Sequence, residues 1–189
     1  VVLAFGNPVV VQTTIDTISQ KIQQFKASEF RGGFMTLGKR QDHYIRDEVK
    51  PEDLRKNRRI LEDILEWIFS NCVIEPCWAS LKINMKDKKE LDEIIGVSFV
   101  DSALVASQSE YVLYAEDAYL RTCVQNEPFF LTNSVWTQVV LLWLLAYGFI
   151  NYQKYSEAVN IIYNQLNYGE VIFSPNTIAS VAEQLGWNP

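Results

Sequence analysis

The sequence predicts an α/β fold: a small parallel sheet flanked by helices, with a helical C-terminal extension. Strand-like runs alternate with segments of helical periodicity over residues 1–132, and this alternation is typical of a parallel sheet. The pattern of residues 133–189 is mostly helical. Because 48% of the 189 residues are apolar and 21% are charged, the chain can bury a full core, which excludes a disordered or fibrous protein. We therefore expect one α/β domain, 1–132, with the extension, 133–189, packed on it.

The first predicted elements are a strand and a helix. Residues 8–11 form a β-branched run after a Gly-Asn turn signal, and residues 14–25 place four apolar side chains on one helical face. Residues 28–50 lose this periodicity and contain three glycines, which predicts a flexible loop. The strongest helix prediction begins at Pro51, because a proline and two acids are favourable in a first helical turn. The apolar stripe of this helix comprises Leu54, Ile60, Leu61, Ile64, Leu65 and Ile68.

Shorter elements follow. Residues 72–76 are typical of a strand that ends at proline, and residues 88–95 predict a helix that ends at Gly96. The apolar run 97–100 leads to Asp101, which opens a predicted helix through Ser107. An aromatic strand at 111–114 precedes a helix at 118–125. The extension contains predicted helices at 135–149, 155–166 and 177–185, and one strand at 171–173.

Charge and cysteine content restrict the function classes. The formal net charge of −6 gives no global field that would attract nucleic acid, so any binding of RNA must be local. Three cysteines without a CxxC pair predict reduced thiols in a cytoplasmic protein, and a single histidine disfavours a His-rich zinc site. The longest apolar run, 139–150, is shorter than the roughly 20 residues that a membrane crossing needs, so we expect a buried helix and no membrane partner.

Familiar catalytic motifs are absent. The sequence has no GxGxxG after a strand, no Walker-type glycine loop, no HExxH and no GxSxG. It also begins without an initiator Met, a basic leader region or a cleavage-site pattern, so we expect it to be part of a longer protein.

Two acids, Asp101 and Asp117, come directly after or close after predicted strands and before predicted helices. Ligands of an open parallel sheet collect outside the carboxyl ends of its strands, so both side chains are expected at one sheet edge. Two carboxylates brought together repel each other unless a divalent cation neutralises them, which predicts a separation of about 4 to 6 Å around a shared cation. The alternative interpretation is that each acid is an ordinary helix cap.

The segment around these acids resembles the C-terminal half of a PIN domain. VDSALVA at 100–106 and YVLYAEDAYLR at 111–121 have that family's pattern: an Asp that opens a small-residue helix, a strand, and an acidic pair before a helix. Residues 9–18 are similar to the family's second strand and following helix, so the resemblance covers residues 9–132. The tail, with WTQ at 136–138 and NYG at 167–169, is similar to PIN-like domains at the end of large bacterial proteins with helical repeats and an elongation-factor-like module.

The resemblance implies a metal-dependent ribonuclease, since PIN domains typically use three or four acids to bind a divalent cation. It assigns Mg²⁺ or Mn²⁺ to Asp101 and Asp117, with Glu116 as a further ligand. It also implies RNA and other domains of a longer chain as partners. The family's first acid ends a strand that has no counterpart before Val9, and we expect it upstream. The second acid aligns with Thr17, one residue from Asp16.

Asp16 therefore has two interpretations. A shift of one residue on a helix rotates a side chain by about 100°, so Asp16 is either a displaced catalytic acid or a solvated acid in the first helical turn. The five arginines and three lysines between residues 39 and 59 also have two interpretations. They form either a patch that binds RNA phosphates or, with the interleaved acids, a solvated face of salt bridges. We interpret most tryptophans as core or interface residues, with Trp78 exposed, and His43 as a surface residue.

The favoured function is a PIN-like endoribonuclease domain with Asp101, Asp117 and Asp16 as candidate catalytic residues. The alternative is a catalytically degenerate PIN-like module that serves as a scaffold or regulatory domain. The acidic composition and the displaced second acid favour the alternative.

Overall fold

The structure, a computed structural model, describes residues 6–40, 43–108, 110–130, 132–166 and 179. The chain divides into two compact units, Val1–Val105 and Ala106–Pro189. The predicted domain boundary at 132/133 lies inside the second unit and stays a prediction. The elements of the first unit, in chain order, are β1 (Val9–Val11), α1 (Gln12–Phe30), β2 (Phe34–Arg40), β3 (His43–Val49), α2 (Pro51–Asn71), β4 (Val73–Glu75), a 3₁₀ helix (Trp78–Lys82), α3 (Met85–Ile95) and α4 (Val97–Ala106).

The elements of the second unit, in chain order, are β5 (Leu113–Tyr114), α5 (Ala118–Asn126), β6 (Ser134–Val135), α6 (Thr137–Ala146) and α7 (Tyr152–Leu166). Both units contain a parallel strand pair: β1 with β4 in the first, and β5 with β6 in the second. The predicted α/β class is therefore confirmed. The strand predicted at 171–173 and the helix predicted at 177–185 lie outside the described residues, apart from position 179.

The first unit is built on a strand-helix-helix-strand arrangement. β1 and β4 pair in the register Val9 to Val73, and the Val73 N–H also donates to the Pro8 carbonyl at 2.9 Å. Helices α1 and α2 pack against each other, and Leu54 and Ile68 of the predicted apolar stripe are buried. The buried core residues of this unit are Val11, Ile15, Ile22, Leu54, Ile68, Leu91, Val100, Ala103, Leu104 and Val105.

The sequence predicts a flexible loop over residues 28–50, and this prediction is wrong. Helix α1 continues to Phe30, and β2 and β3 form an antiparallel hairpin in which Phe34 pairs with Val49 and Arg40 with His43. The side chains of residues 34–39 are all exposed, as are those of His43 and Tyr44. Strands are recognised in a sequence by the alternation of a buried and a solvated face, and a hairpin that is solvated on both faces lacks that alternation.

Salt bridges join α1 to α2. They confirm the interpretation of a salt-bridged face for two of the basic residues, Arg55 and Arg58. The Glu29 carboxylate accepts hydrogen bonds from Arg55 Nε at 2.7 Å and from Arg58 Nε at 3.3 Å, and Arg58 also contacts Glu62 at 2.9 Å. The hydrogen bond from Arg55 is the main cause that lowers the pKa of Glu29, and the one from Arg58 lowers the pKa of Glu62. These side chains are therefore engaged in helix packing.

Residues 97–100 form the first turn of α4, so the prediction that Asp101 opens a helix after an apolar strand is wrong. Gly96 adopts a φ of 90°, which ends α3 and lets α4 begin at the next residue. A four-residue apolar run is compatible with a buried strand or a buried helix, and here the neighbouring helices decide the outcome.

The second unit contains the helix predicted at 135–149, in the shorter form α6. Among its described side chains, Gln138 and Leu144 are buried, whereas Trp136 and Trp143 are half-buried. The Arg121 guanidinium lies 4.4 Å from the centre of the Trp136 ring, a cation–π contact. The prediction that most tryptophans are core or interface residues is wrong for Trp67, which is 55% exposed. The prediction that Trp78 is exposed is correct. Trp187 lies outside the described residues.

The three cysteines are free thiols. Within the part of the chain that the structure describes, no helix combines the length and the apolar content that a membrane span requires.

Gly33 joins α1 to the hairpin, and we expect its replacement by alanine to destabilise the chain. Gly33 has a φ of 90°, and a Cβ atom there would collide with the Val49 carbonyl oxygen of the partner strand. The Gly33→Ala variant should therefore lose about 2 kcal/mol of unfolding free energy in urea titrations.

Gly32 is the matched control for this prediction. Its φ of 84° is similar, but a Cβ atom would meet no atom within 4 Å, so Gly32→Ala measures the backbone cost alone, about 1 kcal/mol. Equal losses in the two variants would contradict the collision argument.

Candidate acidic site

Asp101 lies in the middle of α4, and its residue is only 4% exposed. Its Oδ1 atom is buried, and its partner is the Lys88 ammonium, 3.1 Å away. A buried carboxylate requires a cation because ionisation in a poorly solvated place is otherwise too costly. Asp101 therefore provides a buried carboxylate that already contacts a positively charged group.

Lys88 contacts two carboxylates, a role that the sequence does not predict. Its Nζ donates to both carboxylate oxygens of Asp92 at 2.9 Å, one helical turn further along α3. Burial disfavours the Lys88 ammonium, but the hydrogen bonds to Asp92 and the contact with Asp101 outweigh it, so the pKa of Lys88 is raised. A Lys–Asp pair at i, i+4 is common on helices, so nothing in the local spacing indicated a third partner from α4.

The negative charge of Asp101 also affects the Cys77 thiol. Burial is the main cause that raises the pKa of its thiol, and the charge of Asp101 raises it further. The Ser80 hydroxyl donates to the Cys77 carbonyl at 2.7 Å. Cys77 is therefore held in its thiol form, which is the weaker nucleophile and metal ligand.

Asp117 is the N-cap of α5, as the capping interpretation predicts. Its Oδ1 accepts from the Leu120 N–H at 3.1 Å, and the residue is exposed. One such hydrogen bond uses a small part of the acceptor capacity of a carboxylate, which has about four lone-pair sites. Asp117 therefore combines a structural role with oxygen atoms that can still bind a cation.

The Glu116 carboxylate is hydrogen-bonded to Thr137, the first residue of α6. Its Oε1 accepts from the Thr137 N–H at 2.9 Å, and it also contacts the Thr137 hydroxyl and the Tyr114 hydroxyl. A carboxylate at a helix N-terminus is stabilised by the unpaired N–H groups and the helix dipole there. This arrangement gives Glu116 a structural role, while its role as a metal ligand stays a prediction.

Asp16 is exposed on α1 and accepts a hydrogen bond from Gln12 Nε2 at 3.0 Å. The exposure agrees with the interpretation of a solvated acid, but its placement in the first helical turn is wrong, because α1 begins at Gln12 and Asp16 is the fifth residue of the helix. The catalytic role assigned to Asp16 also stays a prediction.

The acids can be compared with the requirements of a hard divalent cation. No group of three or more His, Cys, Asp and Glu side chains suited to a metal occurs among the described residues. Asp101 and Asp117 nevertheless fit the donor type, because both offer carboxylate oxygens that are not saturated by hydrogen-bond donors. Asp101 belongs to the first unit and Asp117 to the second, so their predicted separation stays a prediction.

The chain matches the model of a known protein family. Residues 1–125 match the model of a family described as the PIN domain associated with the TPR-GreAB-C-PIN system. No curated protein and no solved structure matches the chain.

Proposed function

Because the chain belongs to the family of PIN domains associated with the TPR-GreAB-C-PIN system, we propose that it is a metal-dependent endoribonuclease domain with Asp101 and Asp117 as metal-binding carboxylates. The observation that carries this proposal is the buried Asp101 carboxylate, which contacts an ammonium group at 3.1 Å. A carboxylate buried within α4 beside a positively charged group supports a cation-binding role for Asp101. The proposal extends to RNA as substrate and to other domains of a longer chain as partners.

Each acid makes a different contribution in this proposal. Asp101 supplies a fixed negative charge in a shielded place, where electrostatic attraction to a cation is stronger than in bulk water. Asp117 supplies an exposed carboxylate whose position is fixed by the cap of α5. Bound Mg²⁺ or Mn²⁺ would supply the Lewis acidity that activates water and stabilises negative charge at a phosphodiester.

The test uses the whole chain, a labelled RNA, Mn²⁺, and the variant Asp117→Asn. Asparagine caps helices about as well as aspartate, so this variant should unfold at the same urea concentration as the wild type. It lacks the negative charge, and we therefore expect cleavage to slow at least about tenfold, or about 1.4 kcal/mol of barrier. The Asp117→Ala variant should lose about 1 kcal/mol of stability in addition, because it removes the cap. Undiminished cleavage by Asp117→Asn would remove Asp117 from the metal site.

A second candidate function is a degenerate PIN module with a scaffold or regulatory role. The observation that favours it is that Glu116 is held at the start of α6, while Asp16 is a solvated acid on α1. A wild-type chain that neither binds Mn²⁺ nor cleaves RNA would support this second function.

A further inference from the structure

Lys88 lies between two carboxylates of the first unit at distances typical of strong ion pairs. Its Nζ is 2.9 Å from both oxygens of Asp92 and 3.1 Å from Oδ1 of Asp101. The three side chains are shielded from water: Lys88 is 18% exposed, Asp92 20% and Asp101 6%. This arrangement differs from the neighbouring pair Lys89–Glu93, which has the same sequence spacing but a separation of 3.8 Å and exposures of 78% and 70%.

We propose that Lys88 is an internal cation that competes with a divalent metal ion for the Asp92 and Asp101 carboxylates, and that it must withdraw before Asp101 binds such an ion. The inference rests on the proposed function, because it concerns the metal that the proposed nuclease requires. It adds Asp92 and Lys88 to the residues that control the acidic site.

The charges of the cluster support this exchange. One ammonium between two carboxylates leaves a formal charge of −1 in a shielded place, where uncompensated charge is costly. A divalent cation in place of the ammonium would neutralise both carboxylates. Carboxylate oxygens are also the ligands that Mg²⁺ and Mn²⁺ prefer, whereas an ammonium is a point charge on a flexible four-carbon chain that can move to solvent.

Backbone hydrogen bonds fix the turn between α3 and α4, the two helices that carry Asp92 and Asp101. The Gly96 N–H donates to the Asp92 carbonyl at 3.0 Å, and the Val100 N–H donates to the Gly96 carbonyl at 3.0 Å. The turn between α3 and α4 therefore has hydrogen bonds on both sides, and Gly96 supplies the positive φ of 90° that it requires. We therefore expect the α3–α4 turn to persist when Lys88 withdraws from the two carboxylates.

The first experiment measures Mn²⁺ binding by electron paramagnetic resonance of the free ion, for the wild type, Lys88→Met and Lys89→Met. We expect Lys88→Met to bind Mn²⁺ at least about tenfold more tightly than the wild type, because the competing cation is gone. Lys89→Met, which removes the exposed pair at the same spacing, should match the wild type. An unchanged or weaker affinity in Lys88→Met, or no Mn²⁺ binding by any of the three proteins, would overturn the inference.

The second experiment uses the wild-type chain, because Lys88→Met leaves two carboxylates facing each other and can lose stability. Acetylation of lysines is followed by mass spectrometry with and without Mn²⁺. Lys88 should become severalfold more reactive when Mn²⁺ binds, since its ammonium is released to solvent, while Lys89 should not change. Bound Mn²⁺ with an unchanged reactivity of Lys88 would contradict the inference.

The outcomes separate this inference from the proposed function. Tighter Mn²⁺ binding by Lys88→Met without any cleavage of RNA would support the internal cation and reject the nuclease. Cleavage that depends on Asp101, together with equal Mn²⁺ affinity in the wild type and Lys88→Met, would support the nuclease and reject the internal cation.

Discussion

The Asp101→Asn variant is expected to cleave RNA at least about tenfold more slowly than the wild type in Mn²⁺, a barrier increase of about 1.4 kcal/mol. The physical reason is that asparagine keeps the size of the side chain but removes the buried negative charge that holds a cation. Lys88 remains paired with Asp92 in this variant, so the loss of Asp101 leaves no ammonium without a partner. Initial cleavage rates on a labelled RNA at saturating Mn²⁺ provide the measurement.

The control for this variant is Asp63→Asn, which makes the same chemical change on an exposed position of α2. It should cleave at the wild-type rate. Melting curves by circular dichroism show whether Asp101→Asn is folded at the assay temperature. Equal cleavage rates for the wild type and a folded Asp101→Asn would reject Asp101 as a metal-binding residue and would point to a contaminating nuclease.

Replacing Leu54 by alanine is expected to have the largest effect on stability. Leu54 is 1% exposed in the first turns of α2, so truncation of its side chain opens a cavity in the core of the first unit. The expected loss is about 2 to 5 kcal/mol of unfolding free energy, a large fraction of the stability of a typical domain. Urea titrations followed by circular dichroism measure this loss.

Ile64 provides the comparison on the same helix. It is 40% exposed, and alanine has the higher helix propensity, so Ile64→Ala should cost less than about 1 kcal/mol. Similar losses for Leu54→Ala and Ile64→Ala would mean that the buried face of α2 is assigned wrongly.

The parts of the fold that the sequence predicts well are those with strong local signals. Helix α2 begins at Pro51 with two acids in its first turn and carries a long apolar stripe, and the structure has it from Pro51 to Asn71. Helix α3 ends at Gly96, whose positive φ few other residues adopt. The family was predicted from the segment 100–121 and is confirmed by the match over residues 1–125.

The parts that the sequence does not predict depend on tertiary surroundings. The described side chains of the β2–β3 hairpin are exposed, apart from the half-buried Val49, so they show no alternation of a buried and a solvated face. Helix α4 follows α3 without a linker that would mark a new helix. The contact between Lys88 and Asp101 joins two helices across 13 positions, and no local spacing indicates it. The cap at Asp117, in contrast, follows a local rule and could be predicted.

The exposed β2–β3 hairpin also bears on self-association. Among the described strands, β2 and β3 pair with each other, so the outer side of each presents backbone groups on which a second copy of the chain could align. One face combines apolar side chains with charged ones, since Lys39 is paired with Tyr44, Arg46 with Leu37 and Glu48 with Met35. Charges on an open edge oppose aggregation. Salt weakens their repulsion at separations beyond the Debye length, which is about 8 Å at physiological ionic strength. We therefore expect self-association through this hairpin to increase as the ionic strength rises.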